Sequence, residues 1–152
     1  MTQEVKRSYL EINTLQDLKK VSKPSEEYSI NLLDPINFQL NKFFYKNIGK
    51  KHRWVDRLVW AESKWIDYVS DKKVKTYVLK HKEDLAGFFE LIFHFKKQEV
   101  ELAYFGLLEE YQNKKIGSYL LTEAIKRSFM DNINRVWLHT CSLDHKNALN
   151  NY

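Results

Sequence analysis

The chain holds one cysteine, two prolines and four glycines in 152 residues, and each shortage closes off a class of protein. A single thiol, Cys141, cannot form an internal disulfide, so a stapled secreted scaffold is excluded and a reducing compartment fits. So little Gly and Pro excludes collagen-like and loop-dominated chains. No run approaches the roughly 18–20 apolar residues of a membrane-spanning helix. The N-terminal MTQEVKRSYLEI has neither an apolar run nor a small-residue cleavage site. A soluble, cytoplasmic domain with no membrane partner is expected. No His, Cys, Asp and Glu cluster shows ligand spacing, so no metal is expected.

What the chain does hold is apolar and aromatic mass: 43% hydrophobic and 14% aromatic residues, enough to bury a core in one domain. Its net charge of +5 invites a nucleic-acid partner. The lysines, however, come as separate pairs, such as Lys19/Lys20, Lys50/Lys51 and Lys96/Lys97, in turns and on polar faces. A solvated basic surface explains them, and nucleic acid is the weakest of three readings.

The pattern of elements is mixed α/β. Residues 8–13 and 27–33 read as short strands. Asp34 and Pro35 offer an N-cap and a first-turn proline for a helix with Ile36, Leu40, Phe43, Phe44 and Ile48 on one face, which Gly49 would end. A second helix covers about 61–70, burying Trp65, Tyr68 and Val69. Strands at 73–80, 85–95 and 99–107, joined by the short turns HKED and KKQ, form an antiparallel meander. A polar turn, YQNKKIGS, opens a helix at 115–130, and RVWLHTC follows as a further strand. That strand–helix–strand length makes a parallel pair. Asp144 would cap a last helix.

The polar turn asks to be read chemically. A helix N-terminus carries main-chain N–H groups and partial positive charge, a ready site for phosphate. Gln112-Asn113-Lys114-Lys115-Ile116-Gly117 matches Gln/Arg-x-x-Gly-x-Gly/Ala at Gln112 and Gly117, and Ala148 stands four residues before Tyr152. With the order of elements, these residues resemble the GNAT superfamily of acyl-CoA-dependent N-acetyltransferases over roughly residues 35–152. The resemblance implies a GNAT-like mixed sheet: an antiparallel meander, then a parallel strand–helix–strand unit, with helices on both faces. Lys115 stands where the family has a glycine, but its main-chain amide remains and its charge suits a phosphate. The family continues past the tyrosine with further strands, so a single N-acetyltransferase domain that is C-terminally incomplete is expected over 1–152. The sheet edge beyond 135–141 would then be open to a partner chain or a second copy.

The resemblance also implies the donor and the site. Acetyl-CoA would run along Phe105, Gly106, Leu107 and Leu108, with Gly106 admitting close approach, and its diphosphate would lie on the amides of Gln112, Asn113, Lys114, Lys115, Ile116, Gly117 and Ser118. Tyr152 matches the tyrosine that protonates the departing thiolate. Glu101, a carboxylate in an apolar strand, is the first choice of general base. The alternation Glu99, Glu101, Ala103, Phe105 puts it on the face of the residue at the strand's end. Glu90 and His139 are rivals, and His94 and His145 have weaker claims. Trp54, Asp56, Arg57 and Trp60 sit where the family holds its acceptor. Two tryptophans about an Asp–Arg pair could clasp an amine, or the pair could be purely structural. The expected reaction is acetyl transfer to a primary amine of a small molecule or a peptide amino terminus. A catalytically silent acyl-CoA-binding or interaction module is the alternative.

Overall fold

The computed structural model describes residues 7–12, 23–52, 54–112, 114–130 and 132–141. Its spine is a six-stranded sheet: β1 (Arg7–Ile12), β2 (Tyr28–Leu32), β3 (Val74–His81), β4 (Asp84–His94), β5 (Glu99–Leu107) and β6 (Arg135–Cys141), in the spatial order β1-β6-β5-β4-β3-β2. β2 to β5 form an antiparallel meander, and β5 pairs parallel with β6 across helix α3 (Lys114–Ser128). The tight connections carry left-handed residues, Lys82 after β3 and Gln98 before β5, both at φ 56°. The mixed α/β fold therefore stands as the residue pattern implied.

Two apolar clusters show how the sheet is covered. On one face, α3 lays Ile116, Leu120, Leu121, Ala124 and Ile125 over Leu79, Phe89, Leu91, Phe93, Val100, Leu102, Val136 and Leu138. On the other, α1 (Phe38–His52) packs Phe44 and Ile48 on Val78 and Phe88, and α2 (Glu62–Ser70) buries Trp65 and Val69. Alternation over 76–79 and 88–91 sends Tyr77, Leu79, Phe89 and Leu91 to α3, and Thr76, Val78, Phe88 and Glu90 to the other face, until the ladder slips at Ala86, between Leu79↔Gly87 and Lys80↔Leu85.

Several local expectations are corrected. Helix α1 starts at Phe38 and its cap is Asn37, whose Oδ1 accepts from the Leu40 N–H at 3.3 Å, so Asp34 and Pro35 lie upstream of the cap. Gly49 lies inside α1. A Cβ there would stand 2.8 Å from the Trp54 Cβ, so the residue is small to admit the tryptophan. The sheet edge beyond β6 is covered, because β1 runs antiparallel along it from Arg7↔Cys141 to Ile12↔Val136. The candidate last helix, with Asp144, His145, Ala148 and Tyr152, lies outside the described residues.

Candidate functional site

The parallel pairing of β5 with β6 runs from Glu99↔Arg135 to Leu102↔Leu138 and no further among the described residues, although β5 continues to Leu107 and β6 to Cys141. The strands part there because β5 carries a bulge. Glu90 of β4 faces Tyr104 while its neighbour Leu91 faces Leu102, leaving Ala103 as the extra residue. A bulge bends its strand and sharpens the local twist. The resulting wedge opens toward the C-terminal ends of β5 and β6, the end at which a βα unit places its helix N-terminus.

That N-terminus is reached through a one-turn 3-10 segment, Glu109–Tyr111. The Gln112 amide donates to Glu109 O at 3.2 Å and its side-chain Nε2 to Leu107 O at 3.3 Å, tying the turn to the strand end. The first turn of α3 holds Lys114 and Lys115 and no acidic residue, so the partial positive charge of the helix start is not offset there by an acid. Lys115 is exposed and lies outside the left-handed region, so a side chain at the family's glycine position imposes no backbone strain here. Ile116 and Gly117 are buried, and Ser118 is half-buried. Asn113 lies outside the described residues, as does the Lys114 side chain.

At the strand end, the bulge changes which side chains share a face. Phe105 and Leu107 pack into the cluster under α3, while Tyr104, Gly106 and Leu108 turn toward α1. Glu101 therefore shares its face with Tyr104 and Gly106, not with Phe105. A Cβ at Gly106 would lie 2.5 Å from the Ile48 Cγ2, so the packing of α1 by itself favours a glycine here. Glu101 is one-quarter exposed (25%) and pairs with His94, Nε2 to Oε1 at 3.2 Å. The His94 ring stacks on Trp137, centroids 6.1 Å apart. Glu101 is the last carboxylate on β5 before the strands part. The His139 side chain and Tyr152 lie outside the described residues.

The loop after α1 builds something the sequence suggested only in pieces. Arg57 is 6% exposed and Glu90 1%, and the Arg57 NH1 donates to both Glu90 oxygens, at 3.0 and 2.9 Å. Its NH2 donates to the Tyr68 hydroxyl at 2.8 Å, and the Tyr45 hydroxyl accepts from the Arg57 main-chain N–H at 2.9 Å. The rings of Tyr68 and Tyr104 lie 4.2 Å from the guanidinium carbon, Trp60 4.9 Å, and Tyr45 and Trp65 5.7 Å. Trp54 packs edge-on against Tyr104 with centroids 4.7 Å apart. Asp56 is exposed, so the expected Asp56–Arg57 clasp is replaced by a buried Arg57–Glu90 pair.

The electrostatics follow from burial. Desolvation raises the Glu90 carboxyl above its ordinary range, and Arg57 together with hydrogen bonds from Tyr68 and Asn41 offsets this only in part. Burial also pushes the Tyr104 phenol up to about 12, so it stays protonated at neutral pH. Burial lowers the Arg57 value, but Glu90, Tyr68 and Tyr104 together outweigh it, and the guanidinium stays charged. Asn41 and Tyr45 had no part in the sequence reading. Glu90 did carry a signal, a carboxylate inside an apolar strand, but its partner lies 33 residues away.

Comparison with known proteins follows the same lines. A model of the acetyltransferase (GNAT) family matches residues 36–152. No curated protein matches the chain. Among solved structures, an aminoglycoside acetyltransferase from an uncultured soil metagenomic sample, in complex with sisomicin, superposes with a TM-score of 0.66 at 10% identity, covering 82% of this chain and 84% of that one. A functionally unknown conserved protein from Staphylococcus epidermidis gives 0.59 at 16% identity, over 96% of this chain and 54% of that one. A GCN5-related N-acetyltransferase from Kribbella flavida gives 0.58 at 11%, over 89% and 49%. The chain thus spans about half the length of the last two. At these identities the likeness is one of fold.

Proposed function

The chain belongs to the GNAT acetyltransferase family, and from that premise we propose that it works as one domain that moves an acetyl group from acetyl-CoA directly to a primary amine, on a small molecule or an amino terminus. The observation that carries the reading is the wedge beyond Leu102↔Leu138, which leads to a helix N-terminus holding two lysines and no acid. A main-chain edge suits an arm rich in amides, and a basic helix start suits a diphosphate. The residues present therefore fit acetyl-CoA. Phe105 to Leu108 would lie along its arm, and the turn from Gln112 to Ser118 with Lys115 would hold its phosphates.

Acetyl-CoA supplies an activated acyl thioester. The chain's own work is to hold the two substrates in attack geometry and to move protons off the nitrogen and onto the sulfur. Glu101 takes the proton that an ammonium acceptor must lose before its nitrogen can attack; the nitrogen sheds its second proton after attack, and the departing thiolate takes one up. The place of Glu101 beside the parting of the strands, partly open to water and hydrogen-bonded to His94, suits the first of these transfers. Tyr152, at the family's tyrosine position, is proposed as the acid for the departing thiolate. Trp54 and Trp60 border the acceptor side, with Arg57 behind them as part of the wall rather than as a contact.

The test is a thermal melt with and without acetyl-CoA, followed by thiol release across a panel of amines. Saturation at about 100 times the dissociation constant adds about 2.7 kcal/mol, which at about 2–4 °C per kcal/mol raises the midpoint by about 5–11 °C. A cooperative melt without a shift refutes the binding reading. A shift without thiol release on any amine favours the silent acyl-CoA-binding module.

A further inference from the structure

We propose that the Arg57–Glu90 pair locks the bulge at Ala103, and that through it these two residues are positioning residues for the acyl-donor wedge; the second half of this rests on the function proposed above.

Two parts of β5 are out of phase. Val100 and Leu102 are fixed under α3, and without a bulge simple alternation from Leu102 would carry Tyr104 into the same apolar cluster. Beyond it, Leu107 lies under α3 and Gly106 against Ile48 of α1, which is the opposite phase. One residue must drop out between them, and the ladder drops Ala103, directly beside the Glu90↔Tyr104 pair. Glu90 is thus the residue facing the first side chain after the slip. It holds Arg57 by two hydrogen bonds, and the guanidinium lies 4.2 Å from the Tyr104 ring that the slip brings to this face. Trp54, at 4.7 Å, and Tyr45, at 5.3 Å, close the ring's other sides.

A buried ion pair is weak evidence for stability, since apolar residues of similar size often serve as well. Its defensible role is register. A cation anchored at one point offers Tyr104 a directional partner that a hydrocarbon cannot, as register-setting polar groups do elsewhere. Losing that partner frees the dropped position to move from Ala103 toward the strand's end, and the ladder with β6 can then extend past Leu102↔Leu138 and narrow the wedge.

The test uses the double variant Arg57→Met/Glu90→Leu, which leaves no buried charge unpaired, and Tyr104→Leu, which keeps the pair but removes the stacked ring. Cross-strand nuclear Overhauser contacts report whether position 90 still faces 104 while 91 faces 102, and calorimetry reports acetyl-CoA affinity. Both variants are expected to melt cooperatively, to lose the slipped register, and to bind acetyl-CoA at least about tenfold more weakly than the unmodified chain. Persistence of the slipped register in the double variant overturns the lock. So does persistence in Tyr104→Leu if the double variant fails to fold. Loss of register with unchanged affinity overturns the link to the wedge. If the unmodified chain does not bind acetyl-CoA, the proposed function falls, and the register contacts still decide the lock.

Discussion

Gly106 offers a test whose sign, not only its size, is set by the geometry. A Cβ added there would lie 2.5 Å from the Ile48 Cγ2, 3.5 Å from its Cδ1 and 3.7 Å from its Cβ. The first distance is more than an ångström inside ordinary contact, so Gly106→Ala forces α1 and β5 apart and should cost about 1–3 kcal/mol, the usual range for overpacking. Its backbone is not in the left-handed region, so no strain opposes alanine and the stiffer unfolded chain contributes about 0.4–1 kcal/mol in its favour. Ile48→Ala alone should cost about 2–5 kcal/mol through the cavity it leaves. In that background Cγ2 and Cδ1 are gone, and only the Cβ remains, at ordinary contact distance. Gly106→Ala should then be neutral or stabilising. The coupling in a double-mutant cycle should reach about 1–3 kcal/mol, read from urea unfolding midpoints at constant slope. Additive effects within about 0.5 kcal/mol would refute the claim that α1 packing holds this position to glycine. If a close main-chain approach by the donor were the reason instead, Gly106→Ala would weaken acetyl-CoA binding equally in both backgrounds.

Three further outcomes follow from the same structure. Lys115→Glu places an acid in the first turn of α3, where it favours the helix by about 0.3–1 kcal/mol. It should therefore raise the melting midpoint of the free chain slightly while weakening acetyl-CoA binding about tenfold, and equal affinity at low salt would contradict the phosphate role. Because burial raises the Glu90 carboxyl in the folded state, the folded chain holds a proton that the unfolded chain has already lost. Stability from this group is full below the unfolded value and declines as pH rises through the folded one. Unfolding free energies of the unmodified chain and Glu90→Gln, compared from about pH 4.5 upward, should thus show the unmodified chain losing ground to the variant, and a gain would reverse the assignment. Glu101→Gln should lower kcat by about 10²–10⁴-fold, the usual contribution of a positioned acid–base group, with acetyl-CoA affinity within a few-fold. A change confined to the acetyl-CoA KM would move Glu101 from proton transfer to binding.

The faces of β3 and β4 were legible in the sequence because one-residue alternation survives when only one kind of side chain suits each face. In LAGFFELIFHF, Phe89, Leu91 and Phe93 sort to one face and Phe88 and Glu90 to the other, but an extra residue at Ala86 reverses the pattern at the strand's start, and Phe95 lies past its end, exposed in a 3-10 turn. EVELAYFGL hid its bulge because Ala103, Tyr104 and Phe105 are all acceptable in an apolar environment, so nothing local marks the slip. The partner that fixes it, Arg57, is far away in the chain. Gly49 and Gly106 show the complementary limit. Local sequence reads Gly49 as a helix stop and Gly106 as a ligand approach, and neither reading shows the tertiary neighbour that crowds each position, Trp54 for one and Ile48 for the other. Asn37 was passed over as a cap because Asp34 and Pro35 made the stronger local signal three residues earlier.

The division of the sheet into an apolar face and a polar one decides where chemistry can occur. Under α3 the centre of the sheet contributes hydrocarbon and ring, where an unpaired charge would be costly. On the opposite face the same strands carry Glu90, Glu99 and Glu101; Glu99 is held by Arg135 and Trp137, and the partners of the other two separate their roles. Glu90 is enclosed and takes two hydrogen bonds from a guanidinium whose charge no accessible pH removes. Both of its oxygens are held by that one partner, away from water. Glu101 is met by an imidazole, a partner that can give up its proton, and water reaches both. The second environment suits the proton transfer proposed for Glu101, and the first suits the register role proposed for Glu90; on that proposal the acceptor arrives on the face that holds both.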